Sequence, residues 1–175
     1  EMDNTDRVVA LLASTRNMNI EILPPNVNTS FAEFRAISDN CIAYGLAAIK
    51  NLGAKASAAI SEYRQSHGEF KSVFDLMKIG ANVINRKGLE SLVWAGACDN
   101  LDGHRAQQFE SIDDTLRWGH KMDEEAASSQ ETLFGGDTAV VMIAPPTLPD
   151  IEKWPLEDCL RHEKEIIRSE ERRGG

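Results

Sequence analysis

The chain has 175 residues, 42% of them hydrophobic, and a net charge of −9; that is enough apolar material for one substantial core or two small ones. No stretch approaches the roughly 18 consecutive apolar residues of a membrane span, and no secretory leader is visible, so a cytoplasmic protein with no membrane partner is expected. The acidic balance excludes a surface that coats nucleic acid everywhere.

Residues Asp3 to Arg16 read as a helix, with Asn4 or Thr5 as cap and Val8, Val9, Leu11 and Leu12 as its buried stripe. Ile20-Glu21-Ile22-Leu23 alternates like a short strand and stops at Pro24-Pro25. Phe34 to Ile37 and Cys41 to Tyr44 flank Ser38-Asp39-Asn40, which is turn chemistry for a β-hairpin.

Leu46 to Ile60 then reads as a helix, a very tight turn and a second helix. Leu46 and Ile49 form the apolar edge of the first, Asn51-Leu52-Gly53 the turn, and Ala56, Ala59 and Ile60 the lining of the second. The turn places Leu52 between two residue types that tolerate positive φ, so Leu52 plugs the crotch while the backbone reverses. The second helix begins at Ala54 with nothing bulky over its first amides, and Lys50 and Lys55 flank that opening. This pattern resembles a helix-hairpin-helix, a module that holds a DNA backbone phosphate without reading bases. A short αα-hairpin with glycine at the joint is also ordinary helical architecture.

Gly68 breaks the chain, and Ser72 is placed to cap a short helix carrying Val73, Phe74, Leu76 and Met77. Asn85 is expected to cap the next, with Leu89, Leu92 and Val93 on one face, before the chain tightens from Ala95 to Gly103. This pair repeats the plan of the first, with Arg86 and Lys87 at the mouth of its second helix, and reads as a degenerate second helix-hairpin-helix. Two such units packed together bury both apolar faces and bring two phosphate-binding turns, Asn51 to Lys55 and Asn85 to Gly88, to one edge.

From His104 to about Ala127 a long polar helix is expected, with Phe109, Ile112 and Leu116 in register. Its acids, Asp113-Asp114 and Asp123-Glu124-Glu125, read as a solvated face rather than metal ligands. Ser128 to Asp137 is linker-like, Val140 to Ala144 a short strand, and Pro155 opens a closing helix through Ile167. Cys41, Cys98 and Cys159, with four scattered histidines, give no zinc-site spacing and read as reduced thiols. Charge is uneven: Cys41 to Arg105 carries eight bases against six acids, a net +2, whereas Ala106 to Ile167 carries five against fourteen, a net −9. The middle of the chain can approach a phosphate backbone and the C-terminal third is repelled by one.

Several ordered motifs together resemble the bacterial DNA polymerase III alpha subunit family. They are Met18 to Asn28, Tyr44-Gly45-Leu46 followed by Ala48-Ile49-Lys50, Phe70 to Leu76, Leu89 to Leu92 followed by Ala95 to Asp99, His104-Arg105-Ala106 and Trp154-Pro155-Leu156. The resemblance runs from residue 1 to about Ile167. It implies a mostly α fragment with a small β lead-in: residues 1–43 the end of the fingers region, 44–127 a tandem helix-hairpin-helix domain, 128–137 a clamp-binding loop and 138–167 the start of the next region. Residues 168–175 depart from the pattern and read as an artefactual tail.

What the resemblance implies about function follows region by region. Lys50, Asn51, Leu52, Gly53, Ala54 and Lys55, with Asn85, Arg86, Lys87 and Gly88, would hold duplex DNA. Gln130, Leu133 and Phe134, in Gln130-Glu131-Thr132-Leu133-Phe134, would bind the sliding clamp as an extended peptide, unless they merely pin the linker. Other replicase subunits would be reached through the parent polymerase. The catalytic carboxylates and their Mg²⁺ belong to a palm outside this segment, so no catalytic residue, metal ligand or cofactor is assigned here and the segment alone is expected to be inactive. The alternative is a helix-hairpin-helix module of an error-prone polymerase relative or a repair enzyme, binding DNA without a clamp. A purely structural helical domain would bind neither.

Overall fold

The computed structural model describes residues 20–131 and 143–167; the helix expected over Asp3–Arg16 and the tail from Arg168 lie outside the described residues. The fold is mostly helical behind a small three-stranded sheet. Strand β1 (Glu21–Leu23), β2 (Arg35–Ser38) and β3 (Cys41–Ala43) lie in the order β1-β3-β2. The hairpin β2–β3 forms as its turn residues predict, with an irregularity between Ala36 and Ser38. The pairing that local pattern did not reveal is β1 with β3, parallel, with Ile22 opposite Ile42.

The loop between β1 and β2 is fixed onto the helical body. Val27 is fully buried, and its amide donates to the Ala97 carbonyl at 3.0 Å. The Asn28 carboxamide closes a two-bond ring on the Phe70 backbone, donating to its oxygen at 2.9 Å and accepting from its nitrogen at 2.8 Å. Arg64 Nη1 reaches the carbonyls of Val27 (2.6 Å) and Ser30 (2.7 Å). Burial lowers the Arg64 pKa, with Arg35 adding to the effect; hydrogen bonds to two carbonyls are how a buried cation is tolerated. Phe31 and Phe34 are half-buried. Arg35 covers the Phe31 ring at 3.5 Å, and Phe34 packs on Tyr44 at 4.5 Å. Gly45 makes this docking possible: a Cβ there would lie 2.7 Å from the backbone of Glu33 and Phe34.

The helix expected from Leu46 to Lys50 is only one 3-10 turn, Leu46–Ala48. Ile49 is already extended, at φ −75° and ψ 128°, because it bridges to Ile167 while the Lys50 amide donates to the Ile166 carbonyl at 2.9 Å. Helix α1 (Ala54–His67) starts where expected and ends at Gly68, whose φ of 92° suits glycine. A second 3-10 segment, Val73–Ile79, follows Ser72, and the Asp75 carboxylate accepts from the Lys71 amide at 2.8 Å. Helix α2 (Arg86–Trp94) is capped by Asn85 as predicted.

The single long helix expected after His104 is two, α3 (Arg105–Glu110) and α4 (Ile112–Glu131). They meet at buried Ser111, whose hydroxyl donates back to the Gln108 carbonyl (2.9 Å), while the Thr115 hydroxyl donates to the Ser111 carbonyl (2.7 Å). Such back-bonding competes with the helical ladder and bends it. The backbone of α4 continues through Glu131, past the point where a linker was expected. Of the strand expected over Val140–Ala144, Ile143 and Ala144 are described and carry no strand; the Ile143 carbonyl instead accepts from the Trp118 indole at 3.1 Å. The closing helix α5 (Leu156–Ile166) follows Pro155.

One core serves both helical pairs. Leu46, Ile49, Leu52 and Ile60 of the first join Phe74, Leu76, Met77, Ile84, Leu89 and Leu92 of the second in a single buried cluster, and Trp118 of α4 closes it. Cys98 lies fully buried within it, which pushes its thiol up to about 12. All three cysteines are free thiols.

Candidate nucleic-acid interface

The first turn folds around Asn51, Leu52 and Gly53. Asn51 takes φ 68°, the left-handed region that asparagine tolerates better than most side chains, and it is the sole non-glycine at positive φ among the described residues. Leu52 points inward at 4% exposure and plugs the crotch as predicted. Gly53 differs from expectation: its φ is −71° and ψ 164°, a conformation open to any residue, so glycine is not needed for the backbone path. What glycine leaves there is space, since a Cβ at position 53 would meet nothing within 4 Å.

Gly53 is the N-cap of α1, and no side chain caps the helix. The first ladder bond runs from the Ser57 amide to the Gly53 carbonyl at 3.0 Å. The amides of Ala54, Lys55 and Ala56 precede it and have no acceptor within the helix, and no acid stands in the first turn. The helix dipole adds its positive end at the same place. Lys55 is exposed beside this opening and Lys50 half-buried.

The second turn has the same outline and a different mouth. Ile84 is its plug, at 1% exposure. Asn85 caps α2, its Oδ1 accepting from the Gly88 amide at 2.8 Å, so that amide is already engaged. Gly88 is buried; a Cβ there would lie 3.1 Å from the Ile84 side chain and 3.5 Å from Leu52, which puts the start of α2 directly against the plug of the first turn. Arg86 and Lys87 are exposed, and Arg86 pairs with Asp113 of α4. Asp123 of α4 accepts from the Ala81 amide at 2.9 Å. Both acids are exposed, as a solvated face requires, and each also meets a group in or just before the second turn.

The two turns are neighbours. They share a depression of about 210 Å³, lined by Asn51 to Gly53, Lys55 and Ala56 on one side and Val83 to Asn85 and Gly88 on the other. Of the ten residues singled out in the two turns, Asn51, Leu52, Gly53, Lys55, Asn85 and Gly88 line this depression, whereas Lys50, Ala54, Arg86 and Lys87 do not. Of the residues singled out for clamp binding, Gln130 lies on the last turn of α4, and Leu133 and Phe134 lie outside the described residues.

A short apolar-plugged turn feeding a helix, repeated and packed around one core, defines a class. The chain belongs to the helix-hairpin-helix family, whose model, described as a helix-hairpin-helix motif, matches residues 19–108. Over most of its length it is also similar to DNA polymerase III alpha subunits. It is 35% identical to that of Xylella fastidiosa (strain Temecula1) over 95% of this chain and 14% of the relative. The Vibrio cholerae subunit is 33% identical over the same shares, and the Thermus aquaticus subunit 36% identical over 95% of this chain and 13% of the relative. The chain spans about 14% of the length of such relatives, and the resemblance read from its motifs holds across that part. No helix among the described residues is long and apolar enough to cross a membrane.

Proposed function

We propose that this chain is a segment of a replicative DNA-directed DNA polymerase that holds duplex DNA by its backbone and ties the polymerase to a sliding clamp. The open, uncapped mouth of α1 carries the DNA reading. A phosphate oxygen is an acceptor with charge, which is what three unengaged amides at a helix start can serve. Lys50 and Lys55 supply charge beside it. The turn at Asn85 to Gly88 makes a second and weaker contact, through the Arg86 and Lys87 side chains rather than the Gly88 amide. Contacts made through helix-start amides and lysine charge recognise phosphate rather than base edges, so binding is expected to be independent of sequence and to weaken with salt.

In this reading the polymerase chemistry and its Mg²⁺ belong to parts of the parent outside this segment, which is inactive by itself. Gln130, Leu133 and Phe134 attach the parent to the clamp, raising the effective concentration of a weak DNA contact. A second reading, in which the module binds DNA without a clamp as in an error-prone or repair enzyme, draws support from the helical backbone at Gln130 and Glu131, because an extended clamp peptide needs that turn unwound.

Duplex binding by the purified chain across a salt series tests the first part. Gly53→Val fits the φ and ψ at position 53 and fills the open space, so it is expected to fold normally and lose at least roughly tenfold in affinity; unchanged binding would sink the DNA reading. Binding to a bacterial sliding clamp, compared with Leu133→Ala/Phe134→Ala, tests the second. Absence of binding by the unaltered chain favours the clamp-free module.

A further inference from the structure

The two turns are joined by a side-chain bond that neither helical pair needs for its own fold. Asn51, at the tip of the first turn, donates from Nδ2 to Ser91 Oγ on α2 at 3.2 Å. Ser91 is 1% exposed and lies within the apolar stripe of α2, beside Leu89 and Leu92. A hydroxyl in such a stripe is costly unless it has a partner. Asn51 is exposed, yet its backbone adopts the left-handed region that a glycine would occupy with less strain. The side chain therefore contributes what glycine lacks, a link from the first turn to the helix behind the second. The link lies directly next to the Leu52–Gly88 contact, so the beginnings of α1 and α2 are tied at two adjacent points.

We propose that Asn51 and Ser91 are positioning residues for DNA binding: their bond fixes the amides of Ala54 to Ala56 in register with Arg86 and Lys87, so that both turns meet one duplex at once. This rests on the DNA contact proposed above. Ser91 is too deeply buried to touch a phosphate, and any effect it has on DNA must pass through the turn. Without the bond, the first turn rotates on its plug, and the second turn's cations no longer face the same backbone.

The test uses the whole chain, a fluorescently labelled duplex of arbitrary sequence, and a thermal midpoint for every variant. Asn51→Gly keeps the left-handed backbone and removes the donor; Ser91→Ala removes the acceptor from the other side. Each is expected to lower duplex affinity by roughly 3- to 10-fold, and the double variant by no more than the worse single one. Lys87→Ala is expected to weaken binding in the unaltered chain and to have little further effect in Ser91→Ala, a coupling that a purely structural role would not produce. Gly53→Val is the reference. If it abolishes binding while Asn51→Gly and Ser91→Ala bind as well as the unaltered chain, or their losses simply multiply, the positioning pair is refuted and the DNA contact stands. If Gly53→Val also binds normally, the DNA contact fails and the positioning role fails with it.

Discussion

At the start of α1 the capping position is Gly53, with no side chain, no neighbouring acid and empty space in front of three unengaged amides. At the start of α2 the same position is Asn85, whose carbonyl oxygen takes the Gly88 amide, and the adjacent Arg86 is paired with Asp113. Both turns carry a buried aliphatic plug, Leu52 or Ile84, and both enter the same core. The plug fixes the hairpin; the capping residue decides whether the helix start is satisfied from within the chain or left for an outside anion. A duplicated motif can thus keep its architecture in both copies while leaving one helix start more open than the other.

The plugs test the architectural half of this comparison. Leu52→Ala and Ile84→Ala should each cost about 2–5 kcal/mol of stability in denaturant unfolding. A large loss for one with almost none for the other would break the equivalence of the two hairpins. The mouths are tested by exchanging their caps. Gly53→Asp gives α1 an anionic cap, and its stability should move by only a few tenths of a kcal/mol. Duplex affinity should fall by roughly tenfold or more, equivalent to about 1.4 kcal/mol, as measured by fluorescence anisotropy.

Asn85→Ala, by removing the cap α2 relies on, should cost about 1 kcal/mol of stability; Gly53→Ala, where no cap exists, should cost nothing comparable. The smallest effects concern charge. Lys55→Ala should reduce the slope of log affinity against log salt by about 0.9, as loss of one phosphate contact requires. Arg86→Ala should reduce it by less, because Asp113 competes for that guanidinium; Asp113→Asn should bring the Arg86 effect closer to that of Lys55. Each surface ion pair of this kind is worth no more than about 1 kcal/mol, so protein stability should barely register the change.

Much of this was legible from local pattern. Pro24-Pro25 ended β1, Ser38-Asp39-Asn40 turned the hairpin, and Ser72 and Asn85 preceded helical segments for the reasons their side chains give. The start of α1 and the burial of Leu52 were also readable. What escaped local reading depends on partners distant in the chain. Ile49 has helical neighbours but is drawn into an extended bridge with Ile167. Gly53 looked like a residue chosen for positive φ, whereas its value here is the room it leaves. Asp113 and Asp123 are exposed as read, but the groups they meet, Arg86 and the Ala81 amide, come from other elements and were not legible locally. Ser91 left the one usable clue to the link between the turns: a polar residue inside an apolar stripe implies a partner, though the stripe cannot say that it is Asn51.

The bond from the Lys50 amide to the Ile166 carbonyl joins residues more than a hundred positions apart. During ribosomal synthesis the first turn emerges on the order of ten seconds before the end of the closing helix that completes its approach, at translation rates of 5–20 residues per second. Throughout that interval Ile49 lacks its pairing partner, and the nascent hairpin must wait with one flank unfinished. The first turn, although encoded early, therefore gains this flank only when the closing helix has been made.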